Sequence, residues 1–426
     1  MNYDAVSPID GRYAEEAAPL GDYFSERALT RGRVRVELEY LRLLVRLGVA
    51  PRARVPAMDP SMDEIKGLEK ELGHDVKAVE VCIRGRLERS GPRSLAPFVH
   101  LGLTSEDTNS LAHAFLLGSA LREVILPAYS SLAVKLALMA RKEAPTLMMA
   151  RTHGRPAVPT TFGKELSVFA VRVAERVGAL GRLVPMAKFS GAVGTYASFE
   201  LLGDRDWTRE LAKFVKGFGV DPAPYSTQVV PGERLSDILH HVVNLNQLMV
   251  SLSRDLWTYQ TLDYVHFLRP GKVSSSTMPQ KENPVDVENA EGQAEISNAL
   301  LNFLAYRLQL TRMQRDLSDS VIRRMTGQGL AHSLVAARRL GSSLGAMEVD
   351  RAAMKSDLSR HREVYAEREQ ILRRLGGDAR GYEKVKEALE AGRLTSSGQG
   401  GEYIGSAVKL ARSCPSVVEG LLNPSS

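Results

Sequence analysis

The stretch from Ser274 to Glu288 holds the densest set of chemically useful groups in this 426-residue chain. Ser274, Ser275, Ser276 and Thr277 stand in succession and lead into Met278-Pro279-Gln280-Lys281-Glu282-Asn283. Hydroxyl side chains are poor helix formers and Pro279 disfavours helix at Met278, so residues 271–283 read as a polar loop. Asn283-Pro284-Val285-Asp286 then reads as a helix start: Asn caps, Pro suits the first helical position, and Asp at the third can bond back. Such an end presents free N–H groups and positive potential to an anion, and Lys281 adds a full charge beside it. A hydroxyl at Ser275 or Ser276, between a lysine and a helix end, is placed where a serine proton can become labile.

Four other segments concentrate polar residues beyond what a plain helical bundle needs. Ser7 to Tyr13 carries Arg12 and Tyr13. His100 to Asp107 carries Thr104 and Ser105, which precede acids and an apolar run and so open a second helix. Arg151 to Pro156 carries His153. Arg315 to Ser320, with Arg323 and Arg324, interrupts an otherwise amphipathic helix. Arg12, Arg315 and Arg324 can grip carboxylate or phosphate with two bonds each, so the ligand implied is a polyanion. Each segment also has a bland reading. His153 beside Gly154 is a turn histidine, the serine run is a flexible connector, and Asp316 and Asp319 with Arg315 and Arg323 form a solvated charge network. No metal site is expected: there is no His-x-x-x-His, cysteine pair or EF-hand loop, and neither a P-loop nor a strand-embedded G-x-G-x-x-G occurs.

The elements that must hold these segments read as helices. Glu233 to Arg269 and Gln293 to Thr326 contain neither Gly nor Pro; fully helical, they would span roughly 50–55 Å at 1.5 Å per residue. Ile238, Leu239, Val242, Val243, Leu245, Leu248, Met249, Leu252 and Leu256 recur at helical spacing with a face broad enough to bury on more than one neighbour. Residues 33–47, 103–117, 128–144 and 164–177 show the same period, and strand-like alternation is scarce. The fold expected is all-α with a long-helix bundle through the middle. The domains expected are 1–99, a central bundle over 100–346, and a small helical unit over 347–426. Lys+Arg 56 against Asp+Glu 50 leaves a net charge of only +6, which lacks the dense basic footprint of a nucleic-acid binder. Two cysteines cannot build a disulfide framework and suit a reducing compartment. No long uncharged apolar run and no secretion signal are evident, so a cytoplasmic address is expected.

Ser275-Ser276-Thr277-Met278-Pro279-Gln280-Lys281-Glu282-Asn283 resembles the signature loop S-S-x-M-P-x-K-x-N of the fumarase/aspartase superfamily. His74-Asp75-Val76-Lys77-Ala78-Val79-Glu80, the His100–Asp107 and Arg151–Pro156 segments, Gly163-Lys164-Glu165, Gly191-Ala192-Val193-Gly194 and Arg315–Ser320 narrow the resemblance to the bacterial-type adenylosuccinate lyase family. That resemblance implies a three-domain helical fold and a homotetramer whose active sites each draw on three chains. It implies β-elimination of fumarate from adenylosuccinate, giving AMP, and from a succinyl-carboxamide ribotide, with no cofactor. By motif, Ser275 matches the general base and His153 the general acid. Lys281 and Asn283 match carboxylate contacts, and Thr104 and Ser105 match contacts to the succinyl part. His74 and Asp75 line the same pocket; Gln228, Arg12, Tyr13, Arg315, Ser320 and Arg324 match further substrate contacts, the arginines serving phosphate and carboxylates. Glu288 matches an acid near the catalytic histidine, and His100 is a supporting residue. Gly73, Ser274 and Gln280 depart from the usual Asn, Gly and His. Three rivals stay open at this point: a sister lyase of argininosuccinate, fumarase or aspartase type; a non-catalytic scaffold; and a nucleic-acid binder using Arg27–Arg46, where Glu37 and Glu39 dilute the field.

Overall fold

The computed structural model describes residues 4–268, 275–393 and 403–423. The start of the signature loop, 271–274, and the Gly/Ser-rich run 396–401 therefore lie outside the described residues. About 65% of the chain is helical, which makes the all-α reading correct. In chain order the main helices are α1 (Glu26–Arg46), α2 (Met62–Leu72), α3 (Asp75–Ser90), α4 (Ser105–Ala120), α5 (Leu126–Lys142), α6 (Phe162–Gly181), α7 (Trp207–Lys216) and α8 (Glu233–Thr261). They continue as α9 (Val285–Arg307), α10 (Ser318–Arg323), α11 (Thr326–Gly345), α12 (Arg351–Arg360), α13 (Ala366–Leu375), α14 (Gly381–Glu390) and α15 (Ala407–Leu422). Among the described residues, three two-stranded sheets punctuate them. β1 (Leu147–Thr152) and β2 (Arg155–Thr161) form an antiparallel hairpin, β3 (Met186–Ala187) and β4 (Asp221–Pro222) pair in parallel, and β5 (Val265–Phe267) pairs antiparallel with β6 (Met347–Val349).

The chain divides into two compact units, one of Met1–Pro127, Leu180–Asn244 and Ile296–Val335, the other of Ala128–Ala179, Leu245–Glu295 and Ala336–Ser426. The points where the chain passes from one to the other fall inside α5, α6, α8, α9 and α11. In the first unit, Ser25 caps α1 by accepting the Ala28 N–H at 3.1 Å, and α1 buries Val36, Tyr40, Leu43 and Leu44. Tyr40 packs in a cluster with Phe189, Phe199 and Phe214, and its hydroxyl donates to the Leu101 carbonyl at 2.8 Å. That bond ties the core to the loop that leads into α4. In the second unit, Tyr129 is buried with its hydroxyl on Asn246 Oδ1 at 2.6 Å, and Arg351 grips buried Glu143 with two bonds, at 3.0 and 2.6 Å. Helices α4 and α5 run on as one through a π-helical turn at Leu121–Ile125. The resulting 38-residue helix is long and apolar enough to cross a membrane by length and composition, but Leu111, Ala112, Tyr129, Leu132 and Leu136 along it are buried in the protein core.

Both Gly- and Pro-free stretches end as helices earlier than expected. α8 stops at Thr261, where Asp263 turns left-handed (φ 58°) and lets β5 begin. α9 stops at Arg307. There the Arg307 side chain donates to the Leu310 carbonyl at 2.8 Å and to Ser318 Oγ, while Asp316 Oδ1 accepts the Ser318 N–H at 2.9 Å. Side chains thus take over backbone groups that a continued helix would have used. The reach of one unbroken helix was therefore overestimated in both places.

Candidate active site

In the first unit the start of α4 is the organising feature. Thr104 is its N-cap and Asp107, at the third position, accepts the Thr104 N–H on Oδ2 at 2.9 Å. Asp107 Oδ1 accepts the N–H groups of Ser190 at 2.9 Å and Gly191 at 3.2 Å, and pairs with Lys188 Nζ at 2.9 Å. From Ser190 a hydroxyl contact of 3.0 Å runs to Ser226. Thr227 Oγ1 and the Gln228 N–H both donate to the Gln314 carbonyl, at 2.8 and 3.3 Å. Arg315 Nη1 donates to Gln228 Oε1 at 3.3 Å, and Arg315 Nη2 lies 3.3 Å from Glu106 Oε2, back on the first turn of α4. Four segments thus close into a ring that holds Thr104, Ser105, Gln228 and Arg315. Gly194 is required in it: its φ is 84°, and a Cβ there would sit 2.0 Å from the Ser226 carbonyl oxygen. Gly194→Ala is expected to destabilise the protein by about 2–4 kcal/mol, read as a lower urea midpoint at unchanged slope.

A second cluster joins Asp75 to Arg324. Asp75 Oδ2 takes Arg33 at 2.7 Å and Arg324 at 3.2 Å; Arg324 also pairs with Glu26. Burial works against the Asp75 carboxylate, but Arg33, the Val76 N–H and Arg324 together outweigh it and hold its pKa below the usual carboxylate range. Buried Arg33 extends the grip to Asn109 of α4 at 2.8 Å. His74 caps α3: its Nδ1 accepts the Lys77 N–H at 3.3 Å, and the ring is half exposed. Gly73 before it is left-handed at φ 68°, a conformation that Asn also tolerates, so the departure from the usual residue keeps the backbone path. Ser320 donates to the Leu317 carbonyl at 2.9 Å, and the Arg12 guanidinium carbon lies 6.0 Å from the centre of the Tyr13 ring. Burial raises the pKa of Glu106 against the pull of Arg323 and Arg315.

His100 has a left-handed backbone (φ 60°) and its Nδ1 lies 2.7 Å from Glu37, which is buried and also takes the Thr108 hydroxyl at 2.7 Å. Burial opposes the charged ring, but Glu37, Glu80 and Asp107 outweigh it and raise the His100 pKa. A raised histidine pKa gives stability that is full below the unfolded value and is lost as pH climbs through the folded one. The stability gap between wild type and His100→Gln is therefore expected to be about 1–3 kcal/mol at pH 6 and to shrink as pH rises toward 9, measured by urea unfolding.

In the second unit, His153 and Gly154 are the two-residue turn of the β1–β2 hairpin, with φ of 53° and 72°. Two consecutive positive φ values usually select Asn-Gly, so an exposed histidine here occupies a backbone site at some conformational cost. Ser275 forms a turn with Met278: its Oγ accepts the Met278 N–H at 3.0 Å, and the Lys281 N–H closes on the Met278 carbonyl at 3.0 Å. Lys281 is exposed, Asn283 half-buried, and α9 begins at Val285, one residue later than the expected proline position. Glu288, on the first turn of α9, accepts the Trp257 indole N–H at 3.2 Å.

The structure thus brings together Asp75 with Arg324 and Gln228 with Arg315, and places Thr104 and Ser105 at the capped start of α4. Sequence reasoning missed Asp107, Lys188, Glu106, Arg33 and Glu26 as the groups that hold them. Asp107 stood inside a segment already marked as polar; Lys188, a single lysine between apolar residues, gave no signal.

A family model described as lyase matches residues 55–295, and one described as adenylosuccinate lyase C-terminal matches residues 311–402. The chain is 36% identical over 403 residues to the adenylosuccinate lyase of Legionella pneumophila (strain Corby), covering 90% of this chain and 88% of that protein. It is 35% identical over 415 residues to the adenylosuccinate lyase of Escherichia coli (strain K12), with 92% and 90% covered, and 35% identical over 409 residues to that of Dictyostelium discoideum, with 91% and 88% covered. Among solved structures, a 3-carboxy-cis,cis-muconate lactonizing enzyme from Pseudomonas putida shares the fold with a TM-score of 0.79 at 20% identity, over 95% of this chain and 97% of that one. A fumarate lyase from Mesorhizobium sp. BNC1 gives 0.73 at 19% identity, over 96% and 98%. On sequence and fold together, the chain belongs to the adenylosuccinate lyase family.

Proposed function

We propose that this chain releases fumarate from adenylosuccinate, leaving AMP, and from the succinyl-carboxamide ribotide of purine synthesis, by general base and general acid catalysis. The observation that carries the reading is the Ser275 turn. Its hydroxyl oxygen already accepts the Met278 N–H, and Lys281 follows in the same turn with its own N–H on the Met278 carbonyl, so one fixed donor is in place for a serine alkoxide. Ser275 takes the proton from the carbon next to a succinyl carboxylate. Negative charge then builds on that carboxylate, where Lys281, Asn283 and the N–H groups at the start of α4 stabilise it. His153 gives a proton to the departing purine nitrogen. Arg12, Tyr13, Gln228, Arg315, Ser320 and Arg324 hold the nucleotide, with His74 and Asp75 lining its pocket. Glu288 supports His153, and His100 supports the α4 loop through Glu37.

The site is proposed to be shared between three chains of a homotetramer in the cytoplasm. Exposed apolar side chains support assembly: Phe303, Tyr306, Val321 and Met325 in the first unit, and Val134, Leu138 and Val168 in the second. A domain division at about residues 99 and 346 accompanies this reading. Purified protein given adenylosuccinate should show the ultraviolet change of AMP formation with equimolar fumarate. Fumarate release only from argininosuccinate, malate or aspartate would replace this substrate with a sister one.

A further inference from the structure

The deepest ion pair of the first unit has no part in the reaction scheme. Asp107 and Lys188 have no exposed side-chain surface, and their charged atoms lie 2.9 Å apart. Burying two charges costs desolvation that their attraction barely offsets, and the best-attested use of such pairs is to fix registry. The registry here is explicit. Asp107 Oδ2 holds the Thr104 N–H; Oδ1 holds the N–H groups of Ser190 and Gly191; the Lys188 ammonium pairs with Oδ1 and donates to the Gly191 carbonyl. The Lys188 N–H in turn donates to Ser110 Oγ, one turn further along α4, at 3.2 Å. Two apolar side chains of equal volume would leave these backbone N–H groups unsatisfied, so the clamp needs an acceptor at 107 with a donor at 188, and the charges strengthen both.

We propose that Asp107 and Lys188 are a positioning pair that sets where Thr104 and Ser105 stand, and so governs the grip on the dicarboxylate end of the substrate. The inference rests on the reading of Thr104 and Ser105 as succinyl contacts. The nucleotide end is tied to the pair less directly: Thr227 and Gln228 are held by the Gln314 carbonyl and Arg315 by Gln228 and Glu106, and these meet the clamp only through the Ser190–Ser226 contact and the first turn of α4. Disturbing the pair therefore displaces the dicarboxylate end more than the nucleotide end.

The test compares wild type, Asp107→Asn, Lys188→Met and Lys188→Gln for kcat and KM on adenylosuccinate and for product inhibition by fumarate and by AMP. Asp107→Asn and Lys188→Met should weaken fumarate inhibition about tenfold or more and lower kcat by about 10², as expected when a remote change misplaces a binding group by about 1 Å. Inhibition by AMP should weaken much less, by about threefold at most, because its contacts reach the clamp only through Ser190–Ser226 and Glu106. Lys188→Gln, which still offers N–H donors to Asp107 and Gly191, should recover part of the fumarate affinity lost in Lys188→Met. Equal weakening of both products, unchanged fumarate inhibition in Asp107→Asn, or a Lys188→Gln no better than Lys188→Met would each overturn the proposal. Should a variant fail to fold, amide hydrogen exchange on wild type decides: the Thr104 amide should be strongly protected, and rapid exchange there would contradict the clamp. A wild type with no turnover of adenylosuccinate would instead defeat the underlying reading.

Discussion

His153→Asn is expected to fold normally and to lose about 10²–10⁴ of kcat, the usual worth of a positioned general acid. Asparagine is the informative replacement because it suits the left-handed backbone at the hairpin tip better than histidine does, so the turn cannot be the cause of the loss. The substitution removes only the group that protonates the leaving nitrogen. KM should change little, since no substrate-holding role is assigned to the ring. Stopped-flow binding of substrate, with steady-state kcat, separates the two. Retention of more than about a tenth of wild-type kcat would remove His153 from the acid role, because that is less than a positioned acid contributes.

Ser275→Ala is the second large effect, a loss of about 10³–10⁴ in kcat with substrate still bound. The Met278 N–H points at Ser275 Oγ, and the Lys281 backbone is fastened to Met278, so the serine oxygen holds one fixed donor before any substrate arrives. A hydroxyl in water holds its proton far too tightly to act as a base at neutral pH; a donor already fixed on the oxygen stabilises the alkoxide without reorganising. Removing the oxygen leaves that donor with nothing to activate. Exchange of the substrate's succinyl methylene hydrogens with deuterated solvent reports the proton-removal step alone. It should disappear in Ser275→Ala and persist in His153→Asn; exchange that survives without Ser275 would give the base role to another group.

Much of this was legible from residue types. Thr104 followed by two acids and an apolar run announced the start of α4, and the structure begins that helix at Ser105. The long-helix architecture followed from apolar residues at 3.6 spacing. What did not read out was helix length and the origin of rigidity. Neither helix break involves Gly or Pro. The break after Arg307 is made by side chains that take over nearby backbone groups, Arg307 on Leu310 and Asp316 on Ser318, and such context-dependent bonds leave no periodic trace. The hairpin around His153 was hidden because its turn carries His-Gly rather than Asn-Gly. Lys188 was invisible for a different reason: its partner Asp107 lies 81 positions away, and a buried pair is a property of topology rather than of local pattern. Chemistry in this chain announces itself in clusters; the groups that aim it do not.

The central claim is that residues from neighbouring copies of the chain meet in one site. The most direct measurement mixes His153→Asn with Ser275→Ala, two variants that are each nearly inactive, under conditions that let subunits exchange. If the acid and the base of one site come from different copies, some mixed assemblies contain an intact site, and activity well above either parent should return as exchange proceeds. Activity that stays at the parental level, with exchange verified by native mass spectrometry, would contradict the account and confine both residues to a single chain.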